Sequence, residues 1–142
     1  LTDVKKLGFD SSPLIYFVER HPKYIHVVRE FFRRVDNGLV SGFSSVITLT
    51  EVLTQPKRKQ NLKLEVEYLE LLLSSRNLTM LSVDVPIANK AADLRARWRI
   101  RTPDALQIAA ALNSGCEAFL TNDKELKRVN DIRVLVLDEL TL

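Results

Sequence analysis

Two periodicities alternate along this chain. Short apolar or β-branched runs are followed by longer stretches in which apolar residues return every three to four positions. That pattern predicts an α/β fold: one domain over residues 1–142, with a central, mainly parallel sheet flanked by helices. The first strand ends with residues 7–9 and stops at Asp10. Pro13 opens a short helical segment that runs through Tyr16 and Val18. A second helix is predicted from about Pro22, with Ile25, Val28, Phe32 and Val35 as its inward stripe and Asn37-Gly38 as its end. Residues 39–47 read as a strand, and Thr48 as the start of a helix that breaks near Pro56. Residues 62–73 read as an amphipathic helix with Leu62, Val66, Leu69 and Leu73 on one face. A strand over 78–83 follows. Asp84 then caps a helix with Pro86 just inside it, whose buried stripe is Ile87, Ala91, Leu94 and Trp98. Thr102-Pro103 starts a further helix that Gly115 closes, followed by strand 118–121, a short helix 124–129 and a last strand 132–137.

Composition narrows the class. Apolar residues make up 46% and charged residues 27%, which suits a domain with a core and argues against a disordered chain. No apolar run approaches the roughly 18 residues of a membrane span. The first ten residues lack the apolar stretch of a signal peptide. One cysteine, Cys116, excludes an intrachain disulfide and reads as a buried, inert thiol; this usage fits a reducing cytoplasm. Net charge is only +3, but the cations cluster. Lys57, Arg58, Lys59 and Lys63 form one run, and Arg95, Arg97, Arg99 and Arg101 another. Such runs are solvated faces by default. They gain meaning as a backbone-holding surface if an acidic site would otherwise repel RNA.

Four acids supply that site. Asp10 ends a strand, Glu51 lies a turn into a helix after a strand, Asp104 lies in the first turn of its helix, and Asp123 stands where a strand hands over to a helix. In open α/β sheets, ligands bind beyond the carboxyl ends of the strands, where residues distant in sequence converge. Each acid also has a local explanation. Thr48 to Glu51 matches a capping box, Asp104 sits at the favourable end of a helix dipole, Asp123 suits a cap, and Asp10 a turn. Taken together, four converging carboxylates repel one another by several kcal/mol per pair (order of magnitude), and a divalent cation relieves this. An all-oxygen donor set suits Mg²⁺ or Mn²⁺ rather than zinc. His21 and His26 lie on or beside one helix and are assigned no catalytic part.

The motifs around these acids are those of a known family. Asp10-Ser11-Ser12-Pro13-Leu14-Ile15 resembles the opening motif of PIN-domain nucleases, and Glu51 in Thr48-Leu49-Thr50-Glu51-Val52-Leu53 is similar to their second acid. Thr102-Pro103-Asp104-Ala105-Leu106-Gln107-Ile108-Ala109 resembles the third block, an Asp opening an alanine-rich helix, and Leu120-Thr121-Asn122-Asp123 the fourth. The order is the family's, and the resemblance spans residues 7–137. Ser12 stands where many members carry Asn, and Leu126 where an aromatic residue often follows. The compact size resembles VapC-like toxins. What the resemblance implies is an endoribonuclease in which Asp10, Glu51 and Asp104 hold Mg²⁺ or Mn²⁺, directly or through water. Asp123 would complete the site or bind a second ion. Ser12, Thr121 and Asn122 would orient the carboxylates, and Lys57, Arg58, Lys59, Arg95, Arg97, Arg99 and Arg101 would hold the RNA backbone. It further implies a homodimer and a small antitoxin that blocks the site.

Other α/β readings fit less well. A phospho-receiver domain needs paired acids near its first strand and a Lys after its last parallel strand; Asp10 has no acidic neighbour, and Lys124 precedes the final strand. A dehalogenase-type phosphatase needs Asp where Ser12 stands. A non-catalytic RNA-binding or scaffolding protein on the same fold, or a stand-alone RNA-processing nuclease, are the serious rivals.

Overall fold

The computed structural model describes residues 3–140. Five parallel strands form one sheet: β1 Lys6–Phe9, β2 Ser41–Ser45, β3 Leu78–Leu81, β4 Ala118–Thr121 and β5 Arg133–Val136. Their order is β3-β2-β1-β4-β5. The chain works outward from β1 to β3, then crosses back to lay β4 on the other side of β1. The order therefore reverses between β1 and β4, the position at which sheets of this kind open a crevice at their carboxyl ends.

Six helices cover the two faces: α1 Ser11–Val18, α2 Ile25–Asp36, α3 Val46–Arg58, α4 Leu62–Ser74, α5 Val85–Trp98 and α6 Thr102–Asn113. Side chains alternate along the strands. Leu7, Phe9 and Leu120 join a core with Leu14, Val28, Phe32 and Tyr68 from α1, α2 and α4. Phe119 joins a second core with Ala91, Leu94, Ile108 and Leu126. Phe9 stacks on Phe32 at 5.0 Å between ring centroids. On the other face, Gly8 and the alanines of α6 allow a close approach. A Cβ on Gly8 would lie 2.9 Å from the Ala111 Cβ, so α6 lies directly on the central strand and its first turns reach the crevice.

Several boundaries differ from the sequence expectation, each for a local reason. The second helix begins at Ile25, after a turn closed by the Ile25 amide donating to the His21 carbonyl at 2.8 Å, rather than near Pro22. The strand expected over 39–47 ends at Ser45, whose hydroxyl accepts from the Ile47 amide and caps α3. Pro56 does not break α3. It is buried in the last full turn, where only one amide bond is forgone, and its carbonyl accepts from the Asn61 amide at 2.9 Å. The apolar stripe of α4 splits: Leu62, Val66 and Leu73 are exposed, whereas Leu69 is half-buried and packs against the core. Leu62 is 70% exposed and Leu73 58%, while Tyr68 and Leu72 carry the burial. The Asp84 cap, the α5 stripe, the closure of α6 near Gly115 and the buried Cys116 are as expected. Burial pushes the Cys116 thiol up to about 12, so it is not a nucleophile at neutral pH. Among the described residues no helix is long and apolar enough to cross a membrane.

Candidate active site

Asp10 follows β1 and caps α1. Its Oδ1 accepts from the Ser11 amide at 2.7 Å. β4 lies beside β1, so Thr121 at its end delivers its hydroxyl to Asp10 Oδ2 at 2.7 Å. The same Thr121 oxygen accepts the Asp123 amide at 3.1 Å, which ties the two strand ends together. On the other side, β2 feeds α3, and Glu51 comes over Asp10 from that helix. The Ser11 hydroxyl donates to Glu51 Oε1. Glu51 is not part of a capping box, because α3 starts at Val46 and the helix cap is Ser45. Thr48 is fully buried instead, and its hydroxyl donates to Gln107 Oε1 at 2.6 Å.

Gln107 connects these pieces. Its Nε2 donates to Asp10 Oδ1 at 3.1 Å and to Glu51 Oε1 at 3.0 Å. The sequence shows this residue inside the third motif, but nothing in its spacing distinguishes it from a core position of α6. Only its offset of three from Asp104, one helical turn on the same face, is a usable signal.

The other two acids behave differently. Asp104 is 5% exposed and faces Arg101, whose Nε donates to it at 3.1 Å. Asp123 turns its Oδ1 to the Glu125 amide at 2.9 Å and caps the 3₁₀ segment Lys124–Arg128. The four acids nonetheless form one electrostatic neighbourhood. Burial raises Asp10 to about 6, against the hydrogen bonds from Thr121 and Ser11, with the charges of Asp104 and Glu51 adding to the rise. Asp104 is also raised by burial; Arg101 opposes this, and the charges of Asp123 and Glu51 reinforce it. Among the described residues, however, no three acidic, histidine or cysteine side chains stand in a metal-holding arrangement. The carboxylates have taken the nearest donors instead.

The remaining candidates divide. Ser12 makes no hydrogen bond to the acids among the described residues; its neighbour Ser11 does. Asn122 accepts from the Asp138 amide and donates to the Tyr16 hydroxyl, which anchors the loop without touching a carboxylate. Arg97 is held by Asp131 and Asp93, with Trp98 also on Asp131. Arg95 binds the Ile100 carbonyl and Lys57 pairs with Glu65. The side chains of Arg58, Lys59 and Arg99 are exposed. Arg58 follows Glu51 by seven residues, two turns along the same face of α3, about 10 Å away.

A family model for the PIN domain matches residues 9–132. The chain belongs to the PIN-domain family. Its PIN fold is similar to a chain of VapBC2 from Rickettsia felis, solved bound to a DNA fragment from its promoter. The TM-score there is 0.72 at 16% identity, over 92% of this chain and 98% of that one. DNA-bound VapBC from Salmonella typhimurium gives 0.71 at 21% identity, over 94% and 98%. FitAcB from Neisseria gonorrhoeae gives 0.68 at 19%, over 94% and 99%. At these identities the likeness establishes the fold. No curated protein sequence matches. Within the PIN fold, the crevice between β1 and β4 is where Asp10 and Asp123 stand, with Glu51 and Asp104 brought in by α3 and α6.

Proposed function

We propose that this PIN domain is a Mg²⁺- or Mn²⁺-dependent endoribonuclease that acts as the toxin of a toxin–antitoxin pair. The observation that carries the reading is Asp10: a carboxylate 7% exposed, bonded only to neutral donors and raised further by the charges of Asp104 and Glu51. Such a group is poorly stabilised when ionised and has a charge to spare for a cation. The donor set fits a hard divalent ion, since it offers carboxylate oxygens alone.

Asp10, Glu51 and Asp104 would hold the ion, with Asp123 completing the site. When bound, the ion supplies a water of lowered pKa and offsets charge on the phosphate. The protein's own part is positioning. Thr121 and the Ser11 amide fix both oxygens of Asp10, and Gln107 and the Ser11 hydroxyl fix Glu51. Asp104 must leave Arg101 to join them, which frees the Arg101 guanidinium to meet a phosphate. Arg58 and Lys59, on the helix that carries Glu51, extend a basic track for the RNA backbone.

The toxin assignment is supported by the likeness to VapBC and FitAcB structures. A protein partner, antitoxin or second copy, is supported by the outward apolar ridge of α4, since exposed apolar surface in a row is otherwise unfavourable. The non-catalytic alternative has one observation in its favour, the carboxylates' engagement with local donors rather than with a common centre.

Cleavage of RNA by purified protein with Mg²⁺ or Mn²⁺ separates the two. The expected result is metal-dependent cleavage that Asp104→Asn reduces by at least about 100-fold with the fold intact. Undiminished cleavage by Asp104→Asn, or none by the unaltered protein freed of any partner, would refute the nuclease reading.

A further inference from the structure

We infer that Gln107 is a positioning residue that sets the spacing of Asp10 and Glu51 and so tunes the site's affinity for its cation, an inference that rests on the metal reading above. With Asp104, it is one of two buried polar residues on its helix. The inward neighbours Ala105, Ile108, Ala109, Ala110 and Ala111 are apolar, yet Gln107 is 3% exposed and carries an amide. Every capacity of that amide facing the site is used. Its two N–H bonds go to two different carboxylates, and its oxygen accepts the buried Thr48 hydroxyl.

The orientation is forced by chemistry. Ionised carboxylates only accept, so the amide must turn its nitrogen toward them, and a hydroxyl behind it then meets the oxygen. A single nitrogen bonded at 3.1 and 3.0 Å to two oxygens keeps those oxygens about 5 Å apart or a little more. Glu51 is a solvent-facing residue of α3 that this bond and the Ser11 hydroxyl draw inward.

The choice of residue type follows. Lys or Arg at 107 would neutralise the charge a cation needs. Glu would add a third repelling carboxylate. Asn falls one methylene short, and an apolar residue leaves both acids without a shared donor. Gln orders two anions without discharging them, which suits a site that must be assembled before its cation arrives.

The test is Mn²⁺ titration of metal-free protein by calorimetry, with melting temperature recorded in parallel. Gln107→Met keeps the length and flexibility of the side chain and removes the polar fork. It should weaken Mn²⁺ binding roughly 10- to 100-fold, more than its effect on melting would explain. Thr48→Val removes only the group that orients the amide and should weaken binding about fivefold. It also serves if Gln107→Met fails to fold. A second apolar variant separates positioning from packing: Gln107→Leu, which fills the space without a donor, should weaken Mn²⁺ binding as far as Gln107→Met does, whatever its own melting temperature. Mn²⁺ affinities of Gln107→Met and Thr48→Val within about twofold of the unaltered protein would overturn the positioning role and leave the nuclease reading standing. No Mn²⁺ binding by the unaltered protein would overturn both.

Discussion

The acidic cluster has two halves that solve the same electrostatic problem differently. Asp10, buried, and Glu51, exposed, form the first half, where every hydrogen-bond partner is neutral: an amide, two hydroxyls and Gln107. Asp104 and Asp123 form the second half. One is paired with the side chain of Arg101, which is 72% exposed, and the other caps its own 3₁₀ segment. The first half is held in place with no counter-charge among its hydrogen-bond partners; in the second, Asp104 is buried as deeply as Asp10 but has a cation beside it, and it must rearrange to join the others. A cation bound there, as proposed above, would offset the charge of the first half and draw the second half in.

The largest effect expected from breaking this contrast is on catalysis. Asp10→Asn keeps the shape: its oxygen can face the Ser11 amide and Gln107, and its amide can face the Thr121 hydroxyl. Cleavage of RNA should fall by at least about 100-fold in an assay at saturating Mg²⁺.

The same substitution should stabilise the metal-free protein. Asp10 titrates at about 6 in the fold against 3.8 as a free side chain. Between these values the folded state binds the extra proton, so stability falls as pH rises from about 4 to 6 and then levels off. The ionised carboxylate therefore costs roughly 2–3 kcal/mol at pH 7. Thermal denaturation of metal-free protein across this range should show Asp10→Asn melting higher at pH 7 and a flatter profile below it. Equal melting temperatures at pH 7 would mean Asp10 is well solvated or otherwise compensated. Cation affinity should weaken below about pH 6, as protons compete for the same oxygens.

A smaller effect sharpens the second half. Arg101→Gln removes the cation that holds Asp104. Mn²⁺ affinity measured by calorimetry should improve several-fold, because a like charge leaves the site, while RNA binding at low salt weakens. Unchanged values for both would make Arg101 a bystander.

The smallest effect distinguishes the basic residues from one another. Arg58→Glu with Lys59→Glu should weaken RNA binding at low salt and leave melting nearly unchanged. Arg97→Ala should lower melting slightly with little effect on RNA affinity, because Arg97 is engaged with Asp93 and Asp131. The reverse ranking, read by titration of labelled RNA, would relocate the nucleic-acid surface.

Much of this was legible in the chain, and the parts that were not share a cause. Strand and helix order followed from periodicity, and the carboxyl-end location of the acids followed from strand-to-helix junctions. Glu51 was ambiguous, because Thr48 to Glu51 carries a capping-box spacing; only the start of α3 at Val46 shows that Thr48 faces Gln107 instead. The role of Gln107 depends on three contacts from residues 56, 59 and 97 positions away, which no local pattern encodes. Likewise the stripe on α4 reads as one face, but periodicity cannot say which of its residues meet the core and which a partner. The arginine run looked uniform, yet one member is an ion-pair hub because Asp131 arrives from a distant loop.

Crystals of the protein soaked in Mn²⁺ and measured at the manganese absorption edge test the central claim most directly. The expected result is an anomalous peak within ligand distance, about 2.2 Å, of an Asp10 oxygen, with Glu51 retained and Asp104 swung off Arg101 toward the ion. Full-occupancy soaking that leaves Asp104 on Arg101, Asp123 on the Glu125 amide and no peak beside Asp10 would contradict it.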